Sequence, residues 1–287
     1  MIKMQLAISL KYEVLDPRAD FILNLHAAQT ANQSVINERL QFSQPLQYEI
    51  YEDTFYGTRY VRCQAEAGPL EVHYSATVEV DHQLETPDTL EEVAITDIPI
   101  KYLRYLYPSR YCQSDLLQAF ANQQFGHLPR GYARVKAVCD WVHGNLAYLP
   151  GSTNSMSAAT DVIEQKAGVC RDFSHAMIAL CRALNMPARF VTGVDYGSDP
   201  ASGPHDFHAY VEVYLGDRWY VFEPTGISPR LGLIRLGTGR DAADVSFATV
   251  FGAINSWAPL IEIEALQDVA SGIVLPQHSD QAVSTDA

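Results

Sequence analysis

A cysteine, a histidine and a glutamate within one stretch of this chain have the types and the order needed for nucleophilic acyl chemistry. Cys170 stands in Gly168-Val169-Cys170-Arg171-Asp172-Phe173, His208 in Asp206-Phe207-His208-Ala209-Tyr210, and Glu223 in Phe222-Glu223-Pro224-Thr225. A thiolate attacks a carbonyl carbon, an imidazole carries the proton, and a carboxylate orients the imidazole and stabilises its cation. Taken singly, each residue has a plainer reading: a small buried thiol, a packed strand histidine, a solvated strand end. Their placement on neighbouring elements decides between the two.

Phe173, Met177, Leu180, Cys181 and Leu184 recur at helical spacing, and Met186-Pro187 ends the pattern. Gly168 precedes this helix, so Cys170 falls in its first turn, where free backbone N–H groups and the helix dipole favour a thiolate or an oxyanion. His208, Tyr210, Glu212 and Tyr214 alternate with Ala209, Val211, Val213 and Leu215, which predicts a strand. Gly216-Asp217 is a turn signal and Arg218 to Phe222 the return strand. If that dipeptide is the loop, Leu215 faces Arg218 and Tyr210 faces Glu223, and His208 is a diagonal neighbour of Glu223 on the same face. A slip of one residue would send Glu223 to the other face.

A metal site is the competing reading of Cys170, His175, His205, Asp206 and His208. His205 and His208 are three apart, which suits a helix turn and not a strand, and no Cys-x-x-Cys pair is present. No metal and no cofactor are therefore expected. His175 falls outside the apolar stripe and reads as polar packing. Asp172 either complements the helix dipole or turns inward to bond a loop.

Four stretches together resemble the catalytic core of the transglutaminase-like superfamily, whose Cys-His-Asp arrangement and broad fold are shared with papain-like cysteine proteases. They are Gly-Val-Cys-Arg-Asp-Phe at 168–173, Asn-Met-Pro-Ala-Arg-Phe-Val-Thr-Gly at 185–193, His-Ala-Tyr-Val-Glu-Val-Tyr-Leu at 208–215 and Trp-Tyr-Val-Phe-Glu-Pro-Thr at 219–225. The resemblance is strongest over about residues 130–260. It implies Cys170 as nucleophile and His208 as base, and Glu223 stands where the family usually has Asp. It also implies a thioester intermediate on an amide, peptide or protein substrate. Bacterial members described as cysteine proteases point to hydrolysis, as a peptidase or amidase. The alternatives are an amine-accepting cross-linking enzyme and a non-catalytic peptide- or protein-binding module.

Stepping outward, residues 1–108 read as an N-terminal antiparallel β-sandwich. Met4 to Val14 and Leu70 to Val80 alternate in polarity, with shorter candidates at 21–27, 46–51 and 59–65 and turns at Asp16-Pro17 and Tyr56-Gly57. Residues 109–268 read as the papain-related core. Its helices are a short one capped by Ser114, one at about 131–146 burying Val135, Val138, Cys139 and Val142, and one at 157–167. Thr86 to Tyr111 is a connector packed through Tyr102, Leu103, Tyr105 and Leu106. Gly226 to Arg240 reads as turns, Asp241 to Phe251 as a rim over the site, Leu260 to Leu266 as a closing strand, and 269–287 as a loosely held tail. The fold class is thus α+β.

Composition narrows the function. The net charge of −14 argues against nucleic-acid and anionic-membrane partners. Five cysteines without regular spacing suit reduced thiols. No apolar run approaches membrane-span length, and the first residues lack a signal-peptide core, so a cytoplasmic location is expected. Oligomeric state is left open.

Overall fold

In the computed structural model, residues 1–54, 57–197, 205–267 and 275–285 are described. Tyr56 of the expected Tyr56-Gly57 turn lies outside them, as do the first and last residues of the expected tail. In chain order the strands β1 (Ile2–Leu23), β2 (Gln33–Phe42), β3 (Tyr48–Glu52), β4 (Arg59–Val80) and β5 (Gln83–Glu85) come first. Then follow α1 (Gln118–Phe125), α2 (Tyr132–Asn145), β6 (Ala147–Tyr148), α3 (Ala159–Gln165), β7 (Ala167–Gly168) and α4 (Cys170–Ala183). The remainder is β8 (Ala188–Asp195), β9 (His208–Leu215), β10 (Arg218–Phe222), β11 (Leu233–Gly239), β12 (Ala248–Phe251), β13 (Ile254–Ser256), β14 (Leu260–Ala265) and β15 (Ala282–Ser284). The expected α+β class holds: a strand-rich N-terminal region and a core of helices on an antiparallel sheet.

The N-terminal strands form one antiparallel sheet in which β1 pairs with β4 along nearly its whole length. The sandwich character comes from that sheet folding over itself. Register is broken between Val14 and Arg18, opposite Gly68, whose φ of +112° lies in the region that favours glycine. Asp16-Pro17 is thus a bulge inside a strand, where proline's missing donor costs no ladder bond, and not the expected turn. Tyr12 and Phe21 touch across this corner with ring centroids 5.2 Å apart, where a straight strand would hold them about 30 Å apart. Alternate residues Met4, Leu6, Ile8 and Leu10 on β1 and Val72, Tyr74, Ala76 and Val78 on β4 are buried inside the fold.

Residues 248–265, expected beside the core, supply β12, β13 and β14, and all three pair with β1. The division at 108/109 is therefore crossed by strands. The second sheet runs β11-β8-β9-β10-β15-β5. Two corrections lie in it. Leu233–Gly239, expected as turns, is the buried strand β11 on β8. The expected loose tail contributes β15, which is buried between β10 and β5. Arg230 donates to the carbonyls of Ser279 and Gln281, and the Thr285 hydroxyl bonds the fully buried Glu212, which is also paired with Arg189 and Arg235. A buried carboxylate between two guanidiniums demands such donors, so this end of the chain is held.

Helix α4 carries the expected stripe, yet every residue from Asp172 to Ala183 is buried. The α4 helix is a central rod enclosed by α1, α2 and α3 on one side and β8 and β9 on the other. Buried Arg182 ties its far end to the carbonyls of Ala188, Tyr107 and Arg240. Val194, Ile234 and Leu236 of the core sheet belong to the same apolar cluster as the N-terminal sheet. Tyr102 and Tyr105 of the connector pack on Trp219, as the apolar residues there predicted.

Candidate active site

The structure brings Cys170, His208 and Glu223 together. Cys170 opens α4. Just before it, the Asp172 carboxylate accepts the Val169 N–H at 3.0 Å and the Thr153 hydroxyl, so this acid both caps the helix and ties down a loop. Gly168 must be small here, because a Cβ would lie 2.7 Å from that of Asp172. His208 opens β9. The hairpin has the expected register, Arg218 opposite Leu215 and Phe222 opposite Val211, with Gly216 at φ +57° in the turn.

His208 Nε2 donates to Glu223 Oε1 at 3.1 Å. Its other nitrogen, Nδ1, is left for the cleft, where His208 and Cys170 line the same two cavities. Cys170 Sγ also lies 4.0 Å from the Phe207 carbonyl. Both His208 and Glu223 side chains are nearly buried. Burial pushes the His208 pKa down, but the interactions with Cys170 and Glu223 outweigh it and raise that pKa well above the ordinary value. Burial likewise pushes Glu223 up, and its bonds from His208 and Thr225 hold it below the usual carboxylate range. The chain therefore favours an ionised acid beside a protonated imidazole.

Glu223 also accepts the Thr225 N–H at 3.0 Å and the Thr225 hydroxyl. This local turn bends the longer side chain back over its own strand end toward the imidazole. Its other oxygen, Oε2, is buried without a partner.

Two polar neighbours had no signal in the sequence. Asp195, at the end of β8, has Oδ2 3.9 Å from His208 Nδ1 and accepts the Tyr210 hydroxyl at 3.1 Å. Tyr148 lies in β6, which pairs in parallel with β7 so that Tyr148 is opposite Gly168. It lines the same cavity as Cys170, which stands two residues along from its partner Gly168. Burial first, then the charge on Cys170, pushes this phenol up to about 12. A two-residue parallel contact between distant segments leaves no periodicity, which is why spacing could not find it.

Of the remaining candidates, His175 belongs to the core, whereas His205 and Asp206 line the cleft. His175 is fully buried, stacks on Tyr111 and accepts the Ala242 N–H at 3.1 Å, which anchors the expected rim. Burial pushes its pKa down to about 3, so it is a neutral acceptor. His205 and Asp206 line a cavity of about 370 Å³ with Cys170, Asp195 and Tyr148. A second cavity, of about 480 Å³, has Cys170 and His208 on one wall and Phe247, Val245 and Ala248 on another. Cys170 thus sits between two openings. Among the described residues no cluster of three metal-ligating side chains occurs, and no helix is long and apolar enough to cross a membrane.

Comparison with known proteins bears on the family and the fold. A model described as the transglutaminase-like superfamily matches residues 118–224, and one described as the bacterial transglutaminase N-terminal domain matches residues 2–101. The crystal structure of "a Putative Cysteine Protease from Cytophaga hutchinsonii" is 37% identical, with a TM-score of 0.89 over 99% of this chain and 97% of that one. The chain belongs to the transglutaminase-like superfamily. An uncharacterized protein of Mycobacterium leprae is 28% identical over 164 residues, 55% of this chain and 57% of that protein. The uncharacterized YebA of Bacillus subtilis is 32% identical over 112 residues, 33% of this chain and 15% of that protein. The chain thus spans little more than half of the first relative and a small part of the second.

Proposed function

We propose that this protein performs thiol-dependent acyl transfer on an amide or peptide bond, with water as the final acceptor. The observation that carries the reading is a single imidazole, bonded to Glu223 at 3.1 Å, that lines the same cleft as Cys170. Cys170 sulfur attacks the carbonyl carbon, and the π electrons move to oxygen. The Cys170 N–H at the start of α4 and the Tyr148 hydroxyl, which lines the same cavity, are the two donors for that oxyanion. Collapse breaks the C–N bond while His208 gives its proton to the leaving amine. Water then attacks the thioester, His208 takes its proton, and the C–S bond breaks to release the carboxylic acid. Glu223 stays ionised and holds the ring in one tautomer. The description of the Cytophaga hutchinsonii relative supports hydrolysis.

The test is labelling by a thiol-directed electrophile that is lost in Cys170→Ala, followed by profiling on peptide and isopeptide libraries with and without an added primary amine. Acyl-enzyme of the expected mass that decays to free acid supports the proposal. Decay only when an amine is supplied would make the protein a cross-linking enzyme. Absence of any acyl-enzyme, with Cys170 no faster to label than a buried thiol, would leave a binding module.

A further inference from the structure

Beyond the catalytic cleft lies a third cavity, of about 440 Å³, on the N-terminal sheet. Its floor follows from the strand register. Glu49 is opposite Arg62, Arg62 opposite Ile22, and Ile22 opposite Thr249, so one row crosses β3, β4, β1 and β12 on a single face. Tyr51 and Tyr60, the next pair along, lie on that same face. Phe21, Leu23, Val61 and Cys63 point the other way and are buried. The sheet is therefore two-sided here, and its outer face carries two tyrosines and an isoleucine that the core does not use.

The wall of this cavity is the segment that also walls the cleft. Ala243, Asp244 and Ser246 face the sheet, while Ala242, Val245 and Phe247 face Cys170 and His208. Ser246 lines both spaces. It is exposed and small, and its hydroxyl is turned back to the Ala242 carbonyl at 2.8 Å, so it forms a low saddle between them. The segment is fixed just ahead of the saddle. Ala242 is held by His175, and the Asp244 carbonyl accepts the Tyr60 hydroxyl at 2.8 Å. On the cleft side Phe247 stacks on Phe207, the neighbour of the histidine, with centroids 4.4 Å apart.

We propose that the outer face around Ile22, Tyr51 and Tyr60 is a substrate subsite. It receives an aromatic or large aliphatic side chain of an extended peptide whose reacting carbonyl lies at Cys170. The occupant is argued from continuity with the catalytic cleft across Ser246 and from the chemistry of the floor. Charges on the rim are already paired, Arg62 with Glu49 and Arg240 with Asp244, which leaves apolar and aromatic surface as the free recognition element. The proposal rests on the reading of Cys170 as nucleophile. It assigns the N-terminal sheet a share in recognition, at residues well separated in sequence from the cleft.

The test uses aza-peptide Michael acceptors, which carry residues on both sides of the electrophilic centre, with one Phe scanned through otherwise Ser- and Ala-containing sequences. Iodoacetamide is the length-independent control. At one position at least two residues from the centre, Phe should raise the labelling rate of Cys170 about tenfold over Ser, the scale of burying one aromatic side chain. Tyr51→Ala, at a residue 62% exposed, and Thr249→Trp, which fills the floor from an exposed strand position, should each abolish that gain. Both should leave the iodoacetamide rate unchanged. A wild-type protein that labels normally with iodoacetamide but gains nothing from Phe at any remote position overturns the subsite alone. So does a gain that survives both substitutions. Failure of iodoacetamide to distinguish Cys170 from Cys139 would overturn the nucleophile, and the subsite with it.

Discussion

The hairpin that carries His208 and the sheet that begins at Ile2 are built on opposite plans. In the hairpin, β9 and β10 are joined by two residues, and His208 and Glu223 are bonded local neighbours. In the N-terminal sheet, β1 is completed by β12, β13 and β14 from the far end of the chain. The first plan places side chains with the precision that chemistry needs, because a short turn leaves register little freedom. The second closes the molecule by distant pairing and supplies a broad surface. A substitution in one should alter rate with little change in stability. A substitution in the buried layer of the other should alter stability with little change in the intrinsic reactivity of Cys170.

Glu223→Gln gives the sharpest separation. It keeps the size of the side chain and removes the charge that faces His208. We expect a loss of roughly 10² or more in single-turnover thioester formation, with the folding transition little moved. Glu223→Asp should lose less, since the charge is kept. Equal rates for wild type and Glu223→Gln across pH 5 to 9 would remove Glu223 from its role, and Asp195, 3.9 Å from Nδ1, would be the next candidate.

The same contrast explains what could be read from residues alone. The register of Tyr210 on Glu223 followed from Gly216-Asp217 and a period of two, both local signals. The strand β2 escaped because it pairs only with β4 and carries Asn37-Glu38-Arg39, mostly exposed, around a bulge where Asn37 has φ +52°. β15 escaped because Ala282–Ser284 is too short for a pattern, and its burial depends on β10 and β5. Tyr148 escaped for the same reason, through its pairing with Gly168. Local geometry was legible, whereas contacts made by short segments across long stretches of chain were not.

Phe21→Ala tests the other side of the comparison. Phe21 is fully buried at the fold of β1 against Tyr12. Its truncation should cost about 3–5 kcal/mol in urea unfolding, as large cavities do. The iodoacetamide rate of Cys170 in the folded fraction should stay that of wild type. A parallel fall in that rate would show that the two plans are coupled.

Tyr148→Phe belongs again to the core and should have a smaller effect than Glu223→Gln. It removes one of two proposed oxyanion donors while the Cys170 N–H is kept. We expect a loss of about tenfold to a hundredfold in thioester formation, near the lower end for a single donor. Iodoacetamide labelling, which passes through no oxyanion, should change by much less. Equal losses with both reagents would make Tyr148 a partner of the thiol and not of the intermediate.

A further expected effect is in the pH dependence of stability, where His208 acts with the opposite sign to two other buried histidines. His26 beside the N-terminal sheet and His175 in α4 are buried, which pushes them down to about 4 and about 3. Their folded values lie below the ordinary 6.5, so the unfolded chain takes up protons first as pH falls. Each can therefore remove up to about 1.4 kcal/mol per pH unit below 6.5, and nothing above it. His208 is raised, so its contribution is fully present below 6.5 and is lost as pH rises toward its folded value. Stability should peak near pH 6.5 and fall on both sides. Cys170→Ala removes a partner that keeps the proton on His208 and should flatten the alkaline limb. The acid limb should stay, since neither His26 nor His175 owes its shift to Cys170. Urea midpoints from pH 4.5 to 9 for wild type and Cys170→Ala provide the measurement. An acid limb that flattens with Cys170→Ala would overturn the assignment of the two limbs to different residues.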